Sequence, residues 1–238
     1  MGLKESGLRG SLRNVSVGIG AIPDAEGLHE WLMDEGEGTT AADRVGAGDL
    51  SLSDVEWGTG TGVGDTYLDF DGSGDNMAKA EQSDLSDWGD GGTMIVQFEA
   101  NDTGEEAVIW NHQSNDDRFY CWLRFDENSI QFGLANDFIE TNIEAAALDF
   151  DGWNGIAVVW DEGDWNAYLY HFDDEEIVES DSGTYSGSVG LNTDLTFGTD
   201  ESGRTDFTGG IDFPRLLDDP KTESGVKDRF DELVLFYT

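Results

Sequence analysis

Phe119-Tyr120-Cys121-Trp122-Leu123-Arg124-Phe125, then Asp126-Glu127-Asn128, then Ser129-Ile130-Gln131-Phe132-Gly133-Leu134 is the stretch on which the fold turns. Phe119, Cys121, Leu123 and Phe125 fall at every second place, and so do Ile130, Phe132 and Leu134. A period of two belongs to a strand with one buried face, because successive side chains of an extended backbone point to opposite sides. The polar residues between the two runs are turn formers, so the segment predicts two antiparallel strands and a tight connection. The signature recurs in Met94-Val96-Phe98, Ile156-Val158-Trp160 and Ile211-Phe213, with shorter candidates at Val108 to Trp110 and Leu195 to Phe197. Asp71-Gly72, Asp90-Gly91-Gly92, Asp161-Glu162-Gly163-Asp164 and Gly209-Gly210 punctuate these runs. Many short strands with glycine turns describe an all-β protein, an antiparallel sandwich or jelly roll. After Thr222, Val226, Phe230 and Leu233 recur at helical spacing and predict a short C-terminal helical turn.

The bulk composition agrees. Among 238 residues, 37% are hydrophobic, including thirteen Phe, eight Trp and six Tyr, which is ample for a packed core. No internal repeat and no Ser- or Pro-rich linker divides the chain, so residues 23–238 are read as one domain. The 52 acidic residues face 12 basic ones, for a formal net charge of -40. On a surface of about 10,500 Å² this is roughly one uncompensated negative charge per 260 Å². Such self-repulsion opposes the compact state in dilute buffer, and molar salt, with a screening length of about 3 Å, removes most of it. The acids are scattered rather than gathered in one tail, so the charge predicts a halophilic protein. Direct contact with nucleic acid is not expected, since phosphates need clustered Lys and Arg. No apolar stretch approaches the ~18 residues of a membrane span. The start of the chain has no secretory h-region, which predicts synthesis in the cytoplasm or a leader already removed. The single cysteine, Cys121, excludes an intrachain disulfide and reads as a small core residue.

Residues 1–22 differ from the rest: Lys4, Arg9 and Arg13 against Glu5 make them net positive in a strongly negative chain. Glycines interrupt a repeated Leu-Arg pair, Leu8-Arg9 and Leu12-Arg13, before Val15, Val17 and Ile19 alternate. The segment reads either as an edge strand of the main sheet or as a docking arm (Lys4, Leu8, Arg9, Leu12, Arg13) on an acidic partner.

Four segments resemble concanavalin A-like, laminin-G type jelly-roll domains. Gly27 to Asp43 is similar to the family's first strand and turn, where Gly-x-Gly-Thr-x-x-x-Asp (Gly36 to Asp43) follows an aromatic strand. Tyr67 to Gly72, Trp153 to Trp160, and Phe207 to Asp212 resemble later strands, in the family's order. The chain departs from the pattern after Trp160, where Tyr168 to Asp174 replace the usual Tyr-x-Asp-Gly. Residues 2–18 resemble the amino-terminal segment of virion proteins from tailed viruses of haloarchaea. Together these resemblances imply a structural virion protein, a surface-projecting capsid or tail component, whose arm docks on other virion proteins while the jelly roll faces the medium. The alternative is a carbohydrate-binding adhesion module of a halophile, extracellular. A homo-oligomer and binding to host surface glycans fit either setting.

The resemblance also implies calcium, for which Asp69, Asp71 and Asp75 around a glycine turn are the candidate oxygen ligands, with plain acidic turn residues as the other reading. Glycosidases of this fold carry Glu-x-Asp-x-x-Glu, which is absent, and Asp173-Asp174-Glu175-Glu176 reads as a solvated turn. His29, His112 and His171 are widely spaced and no Gly-x-Ser-x-Gly elbow occurs, so no enzyme is expected. Two strands carry aromatics on the side away from the core: Tyr120 and Trp122 opposite Phe119, Cys121 and Leu123, and Tyr168, Tyr170 and Phe172 opposite Trp165, Ala167 and Leu169. A second aromatic face marks a carbohydrate platform, a subunit contact, or a strand covered by another part of the chain.

Overall fold

The computed structural model describes residues 24–62, 65–73, 76–86, 88–114, 117–190, 193–200 and 206–234. The expected docking arm, with Lys4, Leu8, Arg9, Leu12 and Arg13, lies outside these residues, and so does Asp75. In chain order the strands are β1 (His29–Glu30), β2 (Thr40–Ala41), β3 (Leu50–Ser53), β4 (Glu56–Thr59), β5 (Thr66–Asp71), β6 (Met77–Ala80), β7 (Gly91–Ala100) and β8 (Glu106–Ser114). They continue with β9 (Asp117–Arg124), β10 (Ser129–Ala135), β11 (Asp137–Glu140), β12 (Asn154–Asp161), β13 (Asp164–His171), β14 (Glu176–Thr184), β15 (Leu195–Phe197) and β16 (Thr208–Leu217), followed by helix α1 (Glu223–Asp231).

They form two antiparallel sheets. The first runs β14-β13-β12-β7-β16-β5-β4 with β1 added against β16, and the second β11-β10-β9-β8-β15-β6-β3-β2. The expected sandwich is therefore observed, together with the C-terminal helix. Phe119, Cys121, Leu123, Phe132, Trp160 and Leu169 fill the space between the sheets, on the inner faces that the alternation assigned. Cys121 is fully buried there, and burial pushes its thiol far above the usual range. The link from β12 to β13 is Glu162-Gly163, both at positive φ, a two-residue turn whose twist matches that of the strands it joins.

Register shifts interrupt three ladders among the described residues, one of them between Leu169 and Tyr170 where β13 meets β14. On β16 the register shifts between Asp212 and Arg215, and Phe213 takes a φ of 44° ahead of Pro214, which has no N–H for the ladder. Ile211 therefore packs between the sheets while Phe213 joins the cluster on the other side. The third shift, between Val108 and Trp110 on β8, turns Trp110 and Ile109 inward and Val108 outward.

Helix α1 begins where Thr222 Oγ1 accepts the Gly225 N–H at 3.2 Å, capping an otherwise orphan donor. Its apolar side, Val226, Phe230 and Leu233 beyond its end, lies on the outer face of the first sheet over Tyr168, Tyr170 and Phe172. Phe230 stacks on Tyr170 at 4.8 Å, and a side chain at Gly155 would come within 2.3 Å of the Phe230 ring. Beside this contact a chain of charges joins the segment before β1 to the sheet and the helix. Arg229 Nε meets Glu26 at 2.6 Å, Arg215 Nε meets Glu30 at 3.3 Å, and Arg44 meets Glu30 at 2.5 Å. Burial works against both central charges, raising the pKa of Glu30 and lowering that of Arg215.

Candidate functional site

Because Phe119, Cys121 and Leu123 point inward, Arg118, Tyr120, Trp122 and Arg124 stand on the outer face of the second sheet. Antiparallel register sets their neighbours. Tyr120 is opposite Gly133 on one side and Asn111 on the other, while Trp122 is opposite Gln131 and Val108. Gly133 in turn faces Phe138 on the edge strand β11. The rings make a row: Trp122 to Tyr120 at 4.8 Å between centroids, and Tyr120 to Phe138 at 6.1 Å. A Cβ at Gly133 would lie 2.4 Å from the Tyr120 ring and 2.7 Å from Arg118 Cβ, so only glycine leaves room for the tyrosine there.

This face is polar as well as aromatic. Asn111 Oδ1, Tyr120 OH, Trp122 Nε1 and Gln131 Nε2 are buried without a hydrogen-bond partner. Each such atom costs about 1–3 kcal/mol relative to a satisfied one. Burial raises the Tyr120 pKa against the pull of Arg118 and Arg124, so its hydroxyl keeps its proton. Arg124 is committed to Glu106 and Glu127, each at 2.8 Å, and reaches Gln131 Oε1 at 3.3 Å. The last bond leaves the Gln131 amide nitrogen as the donor without a partner.

The expected platform changes in composition. Trp122 is half-buried, but Tyr120 is 1% exposed and acts as a wedge between Trp122 and Phe138, which is 54% exposed. Tyr168 and Tyr170 do not belong to an exposed platform or subunit contact. They are covered by α1, and the Tyr170 hydroxyl donates to Asp231 Oδ1 at 2.7 Å. The alternation placed both pairs correctly on outer faces; the helical spacing after Thr222 was the signal that one of those faces would be covered. Phe138, Asn111 and Gln131 were not singled out from sequence. They come from three different strands, and only the register brings them to Tyr120 and Trp122. Arg118-x-Tyr120-x-Trp122-x-Arg124 is a pattern that could have marked the face.

Asp69 and Asp71 share the outer face of the first sheet, but Asp71 Oδ1 accepts the Ser73 N–H at 2.9 Å, a local turn contact. Asp69 stands opposite Glu56, and opposite Gly210, which is itself paired with Glu99. Burial raises the pKa of both Asp69 and Glu99, helped by repulsion from Glu56 and Asp71 at Asp69 and from Asp69 at Glu99. Among the described residues no three His, Cys, Asp or Glu side chains stand together to hold a metal ion, so the calcium expectation gains no ligand set here. Residues 173–176 are exposed on the β13–β14 turn.

Asp43, the last residue of the Gly-x-Gly-Thr-x-x-x-Asp turn, is tied to its loop. It accepts the N–H groups of Glu30, Val45, Gly46 and Gly48 and the proton of His29 Nδ1 at 2.5 Å. These bonds hold its carboxyl far below the usual range although burial works the other way. His29 Nε2 accepts the Ser86 backbone N–H at 2.8 Å. Both ring nitrogens are thus engaged in bonds that tie the Asp43 loop to Ser86.

No protein-family model matches the sequence, and no curated protein matches it. Solved structures do. The botulinum neurotoxin serotype G binding domain superposes with a TM-score of 0.60 at 16% identity over 86% of this chain and 50% of its own. The binding domain of Paraclostridial Mosquitocidal Protein 1 gives 0.62 at 13% identity, over 85% and 51%. A Trypanosoma rangeli sialidase gives 0.61 at 11% identity, over 87% and 33%. The chain thus spans about half the length of the two binding domains and a third of the sialidase. At these identities the likeness establishes the architecture alone, a sandwich of two antiparallel β-sheets.

Proposed function

We propose that this chain is a non-catalytic carbohydrate-binding module adapted to saline media, and that the outer face of the second sheet takes the sugar. The observation that carries the reading is the coincidence, on one face, of an aromatic row ending in exposed Phe138 with four buried polar atoms that lack partners. A pyranose offers C–H faces that stack on rings and hydroxyls that both donate and accept. Trp122 Nε1 and Gln131 Nε2 need acceptors, Asn111 Oδ1 needs a donor, and Tyr120 OH takes either role. Two of the superposed proteins are themselves binding domains, which supports the reading at the level of fold.

The setting we propose is the surface of a haloarchaeal tailed virus, with residues 1–22 as the docking arm and the jelly roll facing outward. Its support is the contrast between that basic segment and the acidic remainder. A free adhesion module would bind sugar equally well but would not sediment with particles, and deletion of residues 1–22 separates the two. For the site itself, glycan-array binding in molar KCl should fall about 10- to 100-fold in Trp122→Ala, the loss of one stacking ring and its donor. Intact protein that binds no glycan would remove the reading; release of sugar from a bound oligosaccharide would remove the word non-catalytic. The saline setting requires the melting temperature to rise steeply from dilute buffer to molar KCl.

A further inference from the structure

The arrangement of cations indicates what kind of sugar this face takes. In a chain with 52 acidic and 12 basic side chains, every cation has carboxylates to choose from. Among the described residues seven of the eight Lys and Arg side chains lie within 4.0 Å of at least one, Arg124 within reach of three. Arg118 is the eighth, and its contact is with a backbone carbonyl: Nη1 donates to Asn136 O at 2.7 Å. That bond fixes the guanidinium without neutralising it, and a guanidinium has five N–H donors.

Its place is informative. Arg118 is half-buried and stands two residues before Tyr120 on the same face of β9. Arg118, Tyr120 and Phe138 all border Gly133: Tyr120 and Phe138 are its cross-strand partners, and a Cβ there would lie 2.7 Å from Arg118 Cβ. A fixed, uncompensated guanidinium thus stands beside an exposed aromatic ring and the polar atoms described above. At the other end of the same strand Arg124 is already occupied by Glu106, Asp126 and Glu127.

Resting on the carbohydrate reading of this face, we propose that Arg118 is its carboxylate receptor and that the ligand is an acidic sugar. The guanidinium fork holds the ligand's carboxylate while the sugar ring lies against Phe138. A bidentate Arg–carboxylate contact suits brine. The repulsion between an acidic protein and an acidic ligand is long-range and is screened there, whereas hydrogen-bonded contact at short range is screened much less. Uronic and sialic acids share this chemistry, and the test separates them.

The experiment is calorimetric titration of the full chain in molar KCl with trigalacturonic acid and with 3′-sialyllactose, each beside its carboxyl-reduced neutral counterpart. The intact protein should prefer one acidic form over its reduced partner by about tenfold or more, the range of a hydrogen-bonded charge. Arg118→Gln should erase that preference to within about twofold while retaining affinity for the reduced sugar, and Arg118→Lys should keep part of it. Circular dichroism checks that each variant is folded, and the lysine variant serves should the glutamine variant not fold. Equal binding of acidic and reduced forms by the intact protein, or a preference that survives in Arg118→Gln, overturns the role of Arg118 and leaves the carbohydrate face standing. Binding of neither form overturns both.

Discussion

The outer faces of the two sheets begin alike and end differently. Each presents aromatic residues from a strand within the sheet, and each has a glycine against which a ring packs closely. On the first sheet the ring over Gly155 is Phe230, delivered by helix α1, and the helix brings polar partners with it, so that Asp231 receives the Tyr170 hydroxyl. On the second sheet the ring over Gly133 is Tyr120, from the neighbouring strand, and its hydroxyl has no partner. The comparison teaches that an outward aromatic says nothing about function until its polar atoms are accounted for. The aromatic patch of one face is covered by α1, which satisfies the Tyr170 hydroxyl; the aromatic row of the other is left wanting donors and acceptors, and that makes it the candidate for a ligand.

The contrast can be broken most forcefully at the helix. Phe230→Ala removes the ring that covers Tyr170, Phe172 and Gly155 and should cost about 3–5 kcal/mol, read by urea unfolding in molar salt. A loss under 1 kcal/mol would mean that α1 does not cap the first sheet as described.

A matched pair sharpens the comparison. Tyr170→Phe deletes a hydroxyl bonded to a carboxylate and should destabilise by about 1–2 kcal/mol. Tyr120→Phe deletes a hydroxyl with no partner and should be neutral or stabilising by up to about 1 kcal/mol. Equal losses from both would show that Tyr120 has a partner after all.

The smallest effect concerns the acidic part of the first sheet's outer face. The pKa values of Asp69 and Glu99 are raised on folding, so their contribution to stability is full below the unfolded carboxylate range near pH 4 and is lost as pH rises through the folded values. Asp69→Asn combined with Glu99→Gln should therefore stabilise the protein modestly at pH 7, more in dilute buffer than in brine. It should also flatten the dependence of melting temperature on pH from about pH 4 upward. A double variant that melts lower at pH 7 would contradict the assigned repulsion.

Much of the architecture is legible in the chain because it is local. A period of two names the buried face of a strand from a few residues, as it does for β9, β10, β12 and β13, and Thr222 with the spacing of Val226 and Phe230 announces the helix. The net charge of -40 is likewise a property of composition, and any fold must carry it. What the chain does not show is which outer face will be covered, since α1 reaches Tyr170 across a gap of more than fifty residues. Nor does local pattern reveal the turn of Phe213 to the other side of β16, which follows from a bulge at Pro214 fitted to its neighbours. Least visible of all is the isolation of Arg118: whether a cation meets a carboxylate is decided by the register of strands far apart in sequence, and alternation fixes the side of a sheet but not the company a residue keeps there.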